Sequence, residues 1–494
     1  PGLLWVWFGN IFIGAVHDYL ALMASVRYDG RSIQFVASDL IGKKTGRGFY
    51  WLVFFLLILV VAAFAAIIGG MFVKTPEIAS TYFLKIAAAL ILGVLMYRVR
   101  MNFLVATILG ILMLIAAIWL GSLQGIDLSY TTWMWIFFFY IIIAASIPVN
   151  ILLQPRDYLN SWLLYAGLAL GLLGAVFAFQ GFEVPAFSSF SPVLLGGKPT
   201  PFWPAIPLVI ACGSLSGFHS LVASGTTSKQ LTKESDGLFI GYGAMFTEGF
   251  LSTVVIVSIA GFGYTALQNA GVSTEQLNFD NWGEMFTKAS ASVGLSKANL
   301  FVQSYADMVN ATWLSFLPAK IVKIVAGMWV ASFAMTTLDT TNRLARYCLS
   351  EMALPLKDKG TGFYNFLTNP WIASIIPAAI GIWLAGSGNW LVIWGSFGAA
   401  NQLIASIALM SGAAYVAKKL KSHFANSAVI PAWILWVTVT AAILWFIVYV
   451  QPGAIADKPL TGWTVMIILC VMLVLNFMFF WDFIKSKAYK VTED

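Results

Sequence analysis

An all-α, polytopic membrane helix bundle is the fold this sequence predicts, on three observations. Of the 494 residues, 60% are hydrophobic and only 10% charged, with a mean hydropathy of +0.84. Soluble domains carry about 25% charged residues. Apolar runs of about 20 residues, each long enough to cross a hydrocarbon core, recur along the whole chain. Such a series of long uncapped runs excludes a large soluble core. The third observation is a polar run where a span belongs. Residues 211–229 carry Ser214, Ser216, His219, Ser220, Ser224, Thr226 and Thr227, with three glycines among them. Lipid cannot satisfy these groups, so the run must face protein or a water-filled cavity. Transporters build binding sites from discontinuous helices of this kind.

Thirteen spans are predicted, near 2–26, 49–73, 78–97, 101–121, 131–150, 161–180, 204–228, 239–265, 321–342, 370–386, 390–415, 430–450 and 461–481. The chain opens at Pro1, without Met, directly in an apolar run. No basic flank or small-residue cleavage site marks a signal peptide, and further N-terminal sequence is expected. Sorting Lys and Arg by side places 20 on one face and eight on the other, Lys85 counted among the eight. The positive-inside rule then puts the richer face in the cytoplasm, with Pro1 outside and the tail inside, in a cell inner membrane. Two loops are long. Residues 27–48 are cytoplasmic and contain an amphipathic stretch, Ile33 to Ile41, read as a short surface helix. Residues 266–319 are external. Neither is large enough for a separate domain, so 1–494 reads as one transporter domain. The net charge of +7 is spread over these loops, which argues against nucleic-acid binding. Cys212, Cys348 and Cys470 are scattered and suggest neither disulfide nor zinc site.

Polar groups from separate spans reach one depth. His17 and Asp18 lie about nine residues from Arg27, His219 ten from Lys229, and Glu248 eleven from Gly237. At 1.5 Å per residue these are depths of roughly 14–16 Å, near the centre of a ~30 Å core. Asn401 and Gln402 reach a similar depth in the eleventh span. One layer of polar groups predicts a shared cavity. Charge in the membrane is costly and commonly functional, so His17, Asp18 and Glu248 are candidates for proton coupling. Interhelical packing is the competing role. Ser214, Ser216, His219, Ser224, Thr226, Thr227, Asn401 and Gln402 are candidates for substrate binding. Asp339 and Arg343, four apart, share a helix face and are expected to pair as a gate or an interfacial bridge. Arg156 and Asp157 follow Pro155, which is expected to break the helix, and are expected at the cytoplasmic mouth as gate residues that either anchor the loop or contact substrate. His17, Asp18, His219 and Glu248 also form a conceivable metal set, although no spacing requires one. The sequence lacks a Walker loop, a Gly-x-Ser-x-Gly elbow and a zinc-protease motif. No cofactor is expected, and an ion gradient becomes the default source of drive.

The polar segments together resemble the carbon starvation protein A family of bacterial and archaeal transporters. The resemblance rests on Gly14-Ala15-Val16-His17-Asp18, on Leu153 to Asn160 (LQPRDYLN) and on Gly217 to Thr227 (GFHSLVASGTT). Gly241-Tyr242-Gly243-Ala244-Met245, Thr336-Thr337-Leu338-Asp339-Thr340 and Phe397-Gly398-Ala399-Ala400-Asn401-Gln402-Leu403 complete it, in the family's order. One departure is an N-terminal region, with a broken glycine- and proline-rich helix, that the family has before the residues seen here. The resemblance implies import of pyruvate or short peptides by proton symport. It also implies a LeuT-type inverted-repeat core with discontinuous helices. Gly9-Asn10-Ile11-Phe12 and Gly243-Ala244-Met245-Phe246, each ahead of a midplane acid, are a faint echo of such a repeat. In the mechanism expected, freed N–H groups and hydroxyls in 213–227 receive a substrate carboxylate. Asp18 or Glu248 takes the proton. A membrane-embedded metal-dependent enzyme and a passive channel are the alternatives. Oligomeric state stays open, as Gly69-Gly70 suits packing within or between chains.

Overall fold

The computed structural model describes residues 2–187, 189–192, 198–210, 212–273, 296–357, 361–388 and 390–491, with positions 289 and 292 besides. Ala211, Lys288, Lys359 and much of the 266–319 loop lie outside the described residues. The bundle is all-helical. Its main helices are α1 (Gly2–Arg27), α2 (Ile33–Leu40), α3 (Lys43–Lys74), α4 (Pro76–Tyr97), α5 (Phe103–Leu123) and α6 (Tyr130–Ser146). There follow α7 (Leu153–Phe177), α8 (Phe202–Val209), α9 (Gly217–Gly225), α10 (Ala244–Asn269) and α11 (Lys297–Asn310). The last five are α12 (Ala319–Ala353), α13 (Pro370–Gly386), α14 (Trp390–Lys418), α15 (Asn426–Trp445) and α16 (Pro459–Lys485).

Ten described helices are long and apolar enough to cross a membrane, and the bent pair Gly362–Thr368 and Pro370–Gly386 makes an eleventh. The other two predicted spans take different forms. Span 131–150 is the 17-residue α6, and span 204–228 is two short helices, α8 and α9, with a non-helical stretch between. Pro204 and Pro207 limit α8 from its own backbone. The sixth span starts earlier than the sequence predicts. Pro155 sits in the first turn of α7, where its missing N–H costs nothing, so it opens a helix and does not break one. Arg156, Asp157 and Asn160 are consequently helical and inside the bundle.

Helix α3 is the central post, packed by α12, α13, α14 and α16. Beside it α14 is buried along its length from Ile393. The periphery is different. On α5, Phe103, Leu104, Ile108, Leu112, Ile115 and Trp119 are all exposed, an apolar stripe suited to lipid and to nothing in water. Two segments read as loops are packed. In α2, Ser32 caps the N-terminus by accepting from Phe35 N at 3.3 Å, and Ile33, Val36, Ala37 and Leu40 are buried against α3 and α14. Helix α11, inside the 266–319 segment, seats Leu300, Tyr305 and Met308 on α7, α10 and α12, and Tyr305 Oη donates to Gly167 O at 2.6 Å.

Gly217 marks the tightest approach of α9 to α14. A Cβ there would lie 2.1 Å from Asn401 O and 2.5 Å from Ala405 N, both backbone atoms. A Cβ at Gly70 would meet nothing within 4 Å, whereas one at Gly69 would press Met134 and Tyr130 within the same chain. Gly217→Ala should therefore destabilise by about 1–3 kcal/mol or more, and Gly70→Ala should not. Thermal unfolding of the detergent-solubilised protein checks this; equal Tm values for the two variants would contradict it.

Candidate functional site

A helix broken inside a membrane leaves backbone groups that only protein can satisfy. At the α8–α9 break three side-chain amides do this. Asn401 Oδ1, from α14, accepts from Phe218 N at 2.8 Å and from Ser216 Oγ at 3.2 Å. Gln402 Nε2 donates to Leu215 O at 3.1 Å. Asn10 Nδ2, from α1, donates to Gly213 O at 3.1 Å and to Met245 O at 2.8 Å. Asn10 itself begins a π-helical turn, Asn10–Gly14, and a matching turn, Phe239–Gly243, leads into α10. Tyr242 Oη, from the second turn, donates to Ile11 O in the first at 3.0 Å. Each π turn is followed within five residues by an acid, Asp18 in one span and Glu248 in the other.

These elements bring the midplane acids and histidines into one chain. Asp18 Oδ1 lies 2.7 Å from His17 Nδ1, and Asp18 Oδ2 lies 2.8 Å from His219 Nδ1. His219 Nε2 lies 3.2 Å from Glu248 Oε2. Both nitrogens of His219 thus face carboxylate oxygens. An ionised carboxylate can only accept, so both contacts are satisfied only by an imidazolium or by a proton on one acid. The arrangement therefore has a place for one proton more than a neutral imidazole between two bare carboxylates. It is linear, each contact joining one pair of atoms. Among the described residues, no three His, Cys, Asp or Glu side chains converge as a metal would need.

A cavity of about 790 Å³ lies against this chain, with Asp18, His219 and Glu248 in its wall. It runs past Thr226 and Thr227 to Tyr97, Gln154 and Gln230, beside Arg98 and Lys229. A smaller cavity of about 370 Å³ shares Phe218, His219, Glu248 and Thr337 with the first and adds Ser216 and Cys212. His219 and Glu248 therefore stand between the two spaces.

A second polar network lies on the other helices of the cavity wall. Arg156, wholly buried on α7, pairs with Asp339 of α12, and its Nη1 donates to Tyr140 Oη at 2.9 Å. Tyr140 Oη donates in turn to Asp339 Oδ2 at 3.0 Å. Lys85 Nζ donates to Asn160 Oδ1 at 2.7 Å and Ser332 Oγ at 2.5 Å, and lies 4.6 Å from the Tyr82 ring centre. Asp157 completes the network and reaches the cavity.

The structure reassigns several expected roles. Asp339 pairs with Arg156 and not with Arg343, whose guanidinium instead donates to Ile147 O at 2.9 Å and to Ala144 O, backbone carbonyls at the end of α6. Four-residue spacing permitted the Asp339–Arg343 pair, but a closer cation on α7 takes the carboxylate. Arg156 lies in the first turns of α7 with its side chain wholly buried against Asp339 and Tyr140, while its neighbour Asp157 faces the cavity. Lys85 is not an external flanking charge; it is wholly buried in α4. Ser214 and Ser224 turn back onto their own backbone, donating to Ile210 O and Ser220 O at 2.8 and 2.7 Å, and line neither cavity. Asn401 and Gln402 also line neither, being spent on the break. The freed N–H of Phe218 is already capped by Asn401 and is not open to a substrate carboxylate. His219, Thr226 and Thr227 do face the larger cavity, and Ser216 faces the smaller. Asn10, Lys85, Asn160 and Tyr140 were missed. A lone Asn or Lys within an apolar run is the signal that marked the first two.

Removing one member of a buried ion pair strands the other. Arg156→Met should cost about 3–5 kcal/mol. The double variant Arg156→Met/Asp339→Leu should recover most of it in thermal unfolding. Equal losses for single and double variants would show that the pair is not the source.

Comparison with known proteins identifies the family. The family model for carbon starvation protein CstA matches residues 1–442. A peptide transporter CstA of Bacillus subtilis strain 168 is 31% identical, over 99% of this chain and 83% of its own. The pyruvate/proton symporter BtsT of Escherichia coli K12 is 27% identical, over 89% of this chain and 70% of its own. A manganese transporter of Eremococcus coleocola aligns with 98% of this chain and 94% of its own, at a TM-score of 0.37 and 11% identity. On the extent of the family match and the identity to the Bacillus relative, this chain belongs to the carbon starvation protein CstA family.

Proposed function

We propose that this chain is a secondary transporter that imports short peptides or pyruvate with protons, and that it is no enzyme. The observation that carries the reading is the Asp18–His219–Glu248 chain in the cavity wall. It draws one group from each of three spans, and two of those spans carry a π turn while the third is broken. Movement of any of the three helices changes the contacts that hold the extra proton, so protonation and helix position are linked. The relatives named as peptide transporters and as a pyruvate/proton symporter support the same chemistry. The larger cavity's lining reaches Tyr97 and Gln230, the sequence neighbours of Arg98 and Lys229, which the charge bias assigns to the cytoplasm. That extent supports reading the conformation as inward-facing, in a bacterial plasma membrane with the C-terminus inside. Thr226 and Thr227 offer hydroxyls along the path, and Ser216 in the deeper space.

Reconstituted vesicles test the coupling. The native protein should accumulate labelled substrate under an inward proton gradient. Asp18→Asn and Glu248→Gln should each lower gradient-driven accumulation by about tenfold or more, the equivalent of at least ~1.4 kcal/mol of coupling. Both should retain exchange of labelled for unlabelled substrate, which needs no net proton movement. Full accumulation in both variants would remove these acids from the coupling step.

A further inference from the structure

We infer that the larger cavity selects ligands carrying a primary ammonium group and that Asp157 Oδ2 is the atom that holds it. The inference rests on the transport reading of the same cavity and narrows its two substrates to peptides, since pyruvate carries no ammonium.

Charge in the wall is one-sided. Four titratable acid and histidine residues line the cavity: Asp18, Asp157, His219 and Glu248. Among the described residues, no Lys or Arg lines it. Lys85 and Arg156 are wholly buried behind the wall and already bonded to Asn160, Ser332, Tyr140 and Asp339, and Arg98 and Lys229 lie beside the lining residues Tyr97 and Gln230, away from the Asp18–His219–Glu248 chain. Within the second network two cations balance two carboxylates, Asp157 and Asp339. Asp18 and Glu248 are left to be balanced by protons on the histidine chain. A bare anion entering this space meets a wall with no cation to spare, at low dielectric, and an anionic ligand without a compensating cation is poorly bound there. A ligand that brings its own ammonium is not.

Asp157 is the acid placed to receive it. Every hydrogen bond to its carboxylate arrives at one oxygen: Arg156 Nη2 at 3.3 Å and Nε at 3.4 Å, Thr336 Oγ1 at 3.3 Å and Asn160 Nδ2 at 3.5 Å all meet Oδ1. Oδ2 accepts none from any described residue. The Asp157 side chain is 41% exposed, against 10% for Asp18 and 27% for Glu248, whose own oxygens contact histidine. Asp157 is thus fixed through one oxygen and open through the other. An ammonium has three donors on a compact charge, and Oδ2 with the hydroxyl oxygen of Thr336 or Thr340 offers acceptors in the same wall. The remainder of a short peptide has room in a space of about 790 Å³.

The test is binding to the purified full chain of three probes: dialanine, N-acetyl-dialanine, which lacks the ammonium, and pyruvate. The native protein should bind dialanine at least about tenfold more tightly than the acetylated form, since a site built for a polar group rejects the analogue lacking it. Asp157→Asn should lower dialanine affinity to that of the acetylated form and leave the acetylated form unchanged. Asp157→Glu should restore part of the preference. Equal binding of the two peptides to the native protein overturns the inference, whether or not the variants fold. So does a preference that survives in Asp157→Asn. Uptake in vesicles separates this from the transport reading. Asp157-dependent binding without proton-driven accumulation would sink transport and spare the subsite. Accumulation with no preference for the free amino terminus would do the reverse.

Discussion

The rest of the structure depends on how the α8–α9 break is satisfied. A bare helix end in hydrocarbon leaves N–H and C=O groups that cost several kcal/mol each. Asn401, Gln402 and Asn10 meet that cost from two other helices. Their reach sets the distance between α1, α9 and α14, and Gly217 allows the approach. The polar run of 211–229 is therefore less a binding surface than a joint. Most of its hydroxyls hold the joint together; His219, Thr226 and Thr227 are what it delivers to the cavity.

Two polar networks face one space and differ in kind. The first, through Asp18, His219 and Glu248, is short of donors unless it carries an additional proton, so it can exist in two charge states. The second, through Lys85, Arg156, Asp157 and Asp339, balances internally and has hydrogen bonds at each charged group. A network with matched charges resists change in a low-dielectric interior, whereas one with a mobile proton responds to its surroundings. That division gives the cavity a fixed wall on α7 and α12 and a responsive one on α1, α9 and α10.

Much of this was legible in the sequence. The apolar runs mark thirteen segments, of which ten are helices long enough to span, one is a bent pair, one is the 17-residue α6 and one is the broken α8–α9 pair, and depth counting puts Asp18, His219 and Glu248 in one layer. They are in fact in contact. Family resemblance supplied transport, and the family match supports it. What sequence could not supply was partner choice. Asp339 had Arg343 at ideal helical spacing, yet Arg156 from another helix takes it, because spacing along one helix says nothing of a closer cation across the interface. Lys85 was counted as a flanking charge because a lysine in a long apolar run is invisible to a side-counting rule. Asn401 looked like a binding residue because a buried amide that caps a backbone and one that meets a substrate have the same sequence signature.

The central claim is that substrate and proton cross together through the Asp18–His219–Glu248 chain. The most direct measurement is lumenal pH in vesicles containing the reconstituted protein, with a trapped pH-sensitive dye and no imposed gradient. Adding substrate outside should acidify the lumen, with an initial rate that saturates with substrate. Substrate entry with no change in lumenal pH would contradict the account.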